Sequence, residues 1–386
     1  MTWKDWLAEQ AAQREEAGLT RRLRPRAADD PTIDLAGNDY LGLSGHPDVR
    51  RAAADAALTW GGGAGASRLV TGTLDVHAEL EQELAHYLGQ ESALVFSSGY
   101  AANLAVVTAL ADRTAHIVSD AHIHASLVDA ARLSRARLTV VPHSDVDSVR
   151  AALEETVAGR GGRPGDRHET RGTRTLVLAE SVYSVLGDAA PLVDLAEACA
   201  EHGALLVVDE AHGLGVHGPG LVATTGLAGH PNVVVTATLS KSLGSQGGAV
   251  LGPVALREHL VNRARPFIFD TALAPAPTAA ALAALRVVRA RPDLPAVVHD
   301  RVASLASALG VVPPAGAVLS IPMPSPQAAV AAQADALAEG IRVGCFRPPS
   351  VPDGVSRLRV TASAGIEQDD WARAVAALLR IVAAHS

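Results

Sequence analysis

Of the 33 lysine and arginine residues in this chain, only Lys4 and Lys241 are lysine. Arginine stays protonated and is a poor nucleophile. A desolvated lysine amine loses its proton and attacks a carbonyl carbon to form an imine. Lys4 lies in a polar N-terminal stretch and carries no such signal. Lys241 lies in Thr238-Leu239-Ser240-Lys241-Ser242-Leu243-Gly244, just after the apolar run Val233-Val234-Val235. A nucleophilic amine beyond the end of a strand is the chemistry this placement suggests, and a surface lysine is the plain alternative. Other groups are spaced to serve such an amine. Ser97-Ser98-Gly99-Tyr100 closes an apolar run and opens a helical one, where backbone N–H groups can hold a phosphate. Ser184 and the pair Asp209 and His212 follow two further apolar runs.

Those groups need a scaffold that gathers them. The spacing predicts strands over 93–96, 116–118, 138–141, 175–179, 204–208 and 232–235, and helices over 100–110, 126–133 and 192–202. Nearly continuous apolar strands alternating with helices imply a parallel sheet covered on both faces. In such a sheet ligands sit beyond the carboxyl ends of the strands. Phosphate cradle, acidic residue and amine then share one edge. After about residue 270 the texture changes to alanine-rich helices over 275–289 and 295–308, followed by a shorter αβ stretch. The segment 160–173, rich in glycine and arginine without apolar period, reads as a solvated loop.

Bulk properties remove several function classes. The chain has 386 residues, 48% apolar and 19% charged, with net charge −8, which speaks against a dedicated nucleic-acid binder. It has no apolar run of transmembrane length, so no membrane partner is expected, and no signal-peptide core, so a cytoplasmic location is. Cys199 and Cys345 are the only cysteines, which suggests a reducing compartment. Other motifs fall short. Gly61-Gly62-Gly63-Ala64-Gly65-Ala66 follows a helical stretch rather than a strand, and a phosphate loop ending at Lys241-Ser242 has Val235 and Ser240 at its glycine positions. His122 and His124 near Asp120 fit no common ligand set, so no metal is expected.

A lysine, a carboxylate and a phosphate cradle are what pyridoxal phosphate (PLP) requires. Each residue also has an ordinary role: Asp209 as a helix cap, Thr238 as a strand-end hydroxyl, His124 as a core histidine. Their order along one sheet edge favours the cofactor reading. Over nearly its whole length the chain resembles the α-oxoamine synthases among the fold-type-I PLP enzymes. The resemblance is carried by Asn38-Asp39-Tyr40-Leu41-Gly42-Leu43, Ser98-Gly99-Tyr100-Ala101-Ala102-Asn103, His124-Ala125-Ser126-Leu127, Asp209-Glu210-Ala211-His212-Gly213, Thr238-Leu239-Ser240-Lys241 and Arg347-Pro348-Pro349-Ser350-Val351-Pro352. The last segment points to the branch that condenses L-alanine with a pimeloyl thioester in biotin synthesis. Sister enzymes using glycine or serine, and a non-catalytic cofactor-binding module, are the alternatives.

The resemblance implies an α/β fold with an N-terminal arm (1–40), a large PLP-binding domain with a mainly parallel sheet (41–270) and a small C-terminal α+β domain (271–386). It implies that Lys241 holds the cofactor and moves protons at the substrate α-carbon, and that Asp209 pairs with the ring nitrogen. His212 and Ser184 would contact the 3-hydroxyl side, and Gly99, Tyr100 and Thr238 the cofactor or its phosphate. His124 would stack on the ring, Arg359 would take the amino-acid carboxylate, and Arg21 and Ser350 would contact the acyl chain. A homodimer with interfacial active sites is also implied, with Thr238 serving the neighbouring subunit. Two positions depart from the family pattern: Ser350 replaces threonine, and Leu186 replaces an acidic residue before Gly187.

Overall fold

The structure is a computed structural model that describes residues 1–16, 19–21, 23–158, 173–348, 351 and 353–386. The solvated loop expected over 160–173 lies almost wholly outside the described residues. The chain forms two compact units, Met1–Thr32 and Ile33–Ser386. In the first, the helix Trp3–Glu16 has no buried residue. It opens with a reciprocal cap: Thr2 N donates to Asp5 Oδ2 (2.9 Å) and Asp5 N to Thr2 Oγ1 (3.2 Å).

The second unit contains two sheets. Its strands are β1 (Ile33–Leu35), β2 (Ser92–Phe96), β3 (His116–Asp120), β4 (Arg137–Val141), β5 (Thr175–Glu180), β6 (Leu205–Asp209), β7 (Val233–Thr238), β8 (Gly248–Gly252), β9 (Val318–Pro322), β10 (Ile341–Phe346) and β11 (Arg357–Thr361). The large sheet runs β2-β8-β7-β6-β5-β3-β4 and the small one β1-β10-β11-β9. From β7 to β4 every pairing is parallel. Every residue of β5 and β7 is buried, as apolar strands covered on both faces must be. Alternation along the strands divides the core in two. Val95, Val177, Val208 and Val235 pack on one side, and Leu94, Leu176, Val207 and Val234 on the other.

The strand β8 has no counterpart among the sequence expectations. Gly248-Ala249-Val250-Leu251-Gly252 is a short apolar run between glycines that periodicity does not distinguish from a loop. It pairs antiparallel with both β2 and β7, so those two strands point the same way. The start of the helix Gly99–Leu110 is thereby brought to the same end of the sheet as Lys241. The approach is close: a Cβ on Gly248 would lie 2.4 Å from the Ser98 carbonyl oxygen. The small sheet is held to the segment after β1 by a second close approach. A Cβ on Gly42, whose φ is +70°, would lie 2.3 Å from Gly365 Cα. The alanine-rich helix Pro275–Ala290 packs against the helices Pro47–Trp60 and Asp75–Tyr87.

Candidate active site

A cavity of about 220 Å³ opens at the carboxyl ends of β2, β3, β5, β6 and β7. Its wall includes Gly99, Tyr100, His124, Glu180, Asp209, His212, Thr238 and Lys241. At the helix Gly99–Leu110, Ser98 Oγ caps Ala101 N (3.0 Å), leaving the N–H groups of Gly99 and Tyr100 in the first turn before it. A Cβ at Gly99 would press on the Thr238 side chain at 3.1 Å, so strand end and helix start meet closely here. Thr238 Oγ1 lies 2.8 Å from Ser240 Oγ, which places two hydroxyls beside that turn. Tyr100 is partly exposed, and its OH donates to Asp129 Oδ2 (2.5 Å).

The opposite charge is supplied by Asp209 at the end of β6. Its Oδ1 accepts from Ala211 N (2.8 Å) and its Oδ2 from Asn103 Nδ2 (2.7 Å). Asn103 also donates to Ser126 Oγ (2.9 Å) and accepts from Thr236 Oγ1 (2.7 Å). His124 caps the next helix through Nδ1, which accepts from Ser126 N at 3.2 Å. Burial keeps this imidazole below its usual titration range, and the accepting Nδ1 leaves its proton on Nε2.

Lys241 is half-buried, and desolvation of its amine pushes the ammonium down to about 8, against the pull of Asp209 and Glu180. Its Nζ lies 2.8 Å from His212 Nε2. His212 Nδ1 lies 2.7 Å from the Tyr40 hydroxyl, which donates to Asn38 Oδ1 (3.0 Å); that oxygen also accepts from Arg359 (3.1 Å). Burial and the nearby cations hold His212 well below its usual value, so it is a neutral relay. A continuous polar chain therefore joins the amine to Arg359, which also donates from Nε to the Ser184 carbonyl (2.9 Å). Ser184 enters this site through its backbone, its N–H donating to Glu180 Oε2 (3.2 Å).

The fold thus collects Lys241, His124, Asp209, Gly99, Tyr100, His212 and Thr238 on one cavity, with Ser184 and Arg359 adjoining it. Thr238 faces the same cavity as Lys241 of its own chain. Arg21 belongs to the Met1–Thr32 unit, and Ser350 lies outside the described residues. Asn103, Ser126, Thr236, Tyr40 and Glu180 were assigned no role from sequence. Asn103 left the clearest signal, as a single amide in the apolar stretch Ala101-Ala102-Asn103-Leu104-Ala105-Val106-Val107. Cys199 and Cys345 are free thiols.

The donor set fits PLP: N–H groups and hydroxyls for a phosphate, a fixed carboxylate for a ring N–H, an imidazole face and an amine of lowered basicity. Comparison with known proteins agrees. The profile of aminotransferase class I and II matches residues 30–378. The chain belongs to this family. It is a PLP enzyme of the fold-type-I class. Over 382 residues it is 54% identical to an 8-amino-7-oxononanoate synthase of Mycolicibacterium smegmatis, covering 98% of this chain and 96% of that one. A serine palmitoyltransferase structure from S. paucimobilis with bound PLP–myriocin superposes with TM-score 0.85 at 28% identity, over 98% of this chain and 97% of that one. An 8-amino-7-oxononanoate synthase structure from Francisella tularensis superposes with TM-score 0.75 at 26% identity, over 92% and 99%. Among the described residues no helix is long and apolar enough to cross a membrane, and no cluster of His, Cys, Asp and Glu suits a metal.

Proposed function

We propose that this protein condenses L-alanine with a pimeloyl thioester, carried by coenzyme A or an acyl-carrier protein. The products are 8-amino-7-oxononanoate, carbon dioxide and the free thiol carrier, and the reaction belongs to biotin biosynthesis in the cytoplasm. The observation that carries this reading is the desolvated Lys241 amine facing the same cavity as Asp209, in a chain 54% identical to a relative of that name. When bound, PLP supplies a carbonyl for an amine and a ring that draws electrons from the bond broken at the substrate α-carbon.

The chain's own groups prepare that chemistry. Desolvation gives Lys241 a neutral fraction near physiological pH, and neutral His212 orients the amine through the 2.8 Å contact between Nε2 and Nζ. The Asp209 carboxylate, oriented by Ala211 N and Asn103, holds a ring N–H and stabilises its charge. Gly99, Tyr100, Thr238 and Ser240 hold the phosphate. His124 presents its face to the ring, and His212 and Ser184 border the 3-hydroxyl. Arg359, anchored on Ser184 and Asn38, pairs with the amino-acid carboxylate. Arg21 and Ser350 contact the acyl chain, and two copies associate with the active sites at their interface; the family resemblance supports these two assignments.

The likeness to serine palmitoyltransferase favours a second reading, a sister enzyme that uses serine or glycine. Thiol release from pimeloyl-coenzyme A by the PLP-loaded protein, with L-alanine, glycine and L-serine in parallel, separates the two. Release with alanine alone is expected; release with glycine or serine alone moves the reaction to the sister class.

A further inference from the structure

Glu180 and Asp209 are lateral partners in the register of β5 and β6, so two buried carboxyl groups stand side by side at the cavity wall. Adjacent buried carboxyl groups do not both ionise readily, and the one with the better donors keeps the charge. Asp209 has a donor on each oxygen. Glu180 Oε2 accepts from Ser184 N (3.2 Å), while its Oε1 is buried without a partner. A carboxyl oxygen with no donor near it is the natural place for a proton, and a protonated carboxyl is a hydrogen-bond donor.

We propose that Glu180 is a further residue of the catalytic site: a neutral carboxylic acid beside the charged Asp209, whose Oε1 donates a hydrogen bond to an anionic oxygen of the bound ligand. Burial first, and the Asp209 charge second, push Glu180 up to about 8. Lys241, from the loop after β7, and the backbone N–H groups of His124 and Ser184 act the other way. Tyr40, from the segment after β1, and Tyr183, after β5, also sense Glu180; burial pushes the Tyr40 hydroxyl up to about 12 and raises that of Tyr183 as well. Neutral Glu180 leaves a single negative charge at this end of the cavity. The anionic oxygen it serves belongs either to the cofactor or to the amino acid held by Arg359. This donor role rests on the proposed PLP site, whereas the protonation state is a property of the apoprotein and can be read without substrate.

The test is infrared difference spectroscopy on wild type and E180Q. At pH 7 the apoprotein difference is expected to show the carbonyl stretch of a protonated carboxylic acid, lost as pH rises through about 8. Glu210, a second buried carboxyl pushed up to about 7, cancels in this difference. Glu180 keeps in the folded chain a proton that the unfolded chain releases above pH 4.5. Wild-type stability therefore falls from pH 4.5 through about 8, and E180Q loses that part of the slope. If E180Q does not fold, D209N serves instead: removing the neighbouring charge moves the loss of the Glu180 band to lower pH. A shift of the band on loading PLP assigns the acceptor to the cofactor, and a shift only on adding L-alanine assigns it to the amino acid. Absence of the acid band at pH 7 overturns the neutral state, and a band that neither addition moves overturns the donor role.

Discussion

Two carboxylate pairs lie at the same end of the large sheet and behave in opposite ways: Glu180, Asp209 and Asp120 are buried, and Asp188 is half-exposed. Asp120, at the end of β3, and Asp188, after β5, flank His143. Its Nδ1 lies 3.0 Å from Asp120 Oδ1 and its Nε2 2.7 Å from Asp188 Oδ2. Both ring nitrogens face carboxylates, so both must donate and the ring is a cation. Burial opposes that charge, but the bonds to Asp120 and Asp188 outweigh it and raise His143 to about 9. His122 stacks on His143 at 3.9 Å, and Tyr183 meets it edge-on at 4.3 Å. At Glu180 and Asp209, by contrast, the two carboxyls are lateral neighbours and the nearby cation is the desolvated Lys241. There the lysine is pushed down to about 8 and the glutamate up to about 8. One cluster pairs its charges and stabilises the fold; the other holds two groups poised to exchange protons near neutrality. The histidines that hinted at a metal in the sequence divide between them, His122 in the paired cluster and His124 at the cavity.

Each perturbation should strike one cluster and spare the other. The largest effect is expected from Lys241→Met, which should lower turnover by about 10⁴-fold. It should also remove the visible absorbance of the bound cofactor while raising apoprotein stability by about 1 kcal/mol, since a charge-costing burial is relieved. A loss of stability in this variant would break the contrast. Next, His143→Ala should cost about 2 kcal/mol in urea unfolding at pH 6, because the buried Asp120 loses its cation while the half-exposed Asp188 is screened by solvent. It should change kcat/KM of the folded enzyme less than about tenfold. The pH dependence has a definite sign. The folded value of about 9 lies above 6.5, so the stabilisation is complete below pH 6.5 and disappears as pH rises through 9. The gap between wild type and His143→Ala should narrow over that window; a gap constant from pH 6 to 10 would show that packing, not charge, accounts for it. The smallest effect is expected from His122→Ala, about 1 kcal/mol from the lost ring stacking, measured by thermal unfolding.

Much of the site was legible because its residue types are chemically restrictive. Lys241 stands out as an amine among arginines, Asp209 as a carboxylate ending an apolar strand and Gly99 as the opening of a helix. All three fall directly after apolar runs that cannot be anything but buried. The groups that orient them were harder to read. Asn103 and Thr236 look like ordinary helix and strand residues until the fold brings them within hydrogen-bond reach of each other. Tyr40 and Asn38 precede the cavity by many residues, and only the docking of the small sheet makes them a bridge from His212 to Arg359. Strand β8 escaped notice because five residues between glycines carry too short a pattern to reveal a period.

The sequence by itself determined the chemistry on offer and the parallel sheet that presents it, because hydrophobic burial and residue-specific reactivity are local properties. Only the tertiary structure decided which of the buried acids are charged. That outcome depends on whether a cation or another carboxyl stands within a few ångströms, and such distances are set by strand order and register. The pairing of β5 with β6 puts Glu180 beside Asp209, and the neighbouring ends of β3, β4 and β5 put His143 between Asp120 and Asp188.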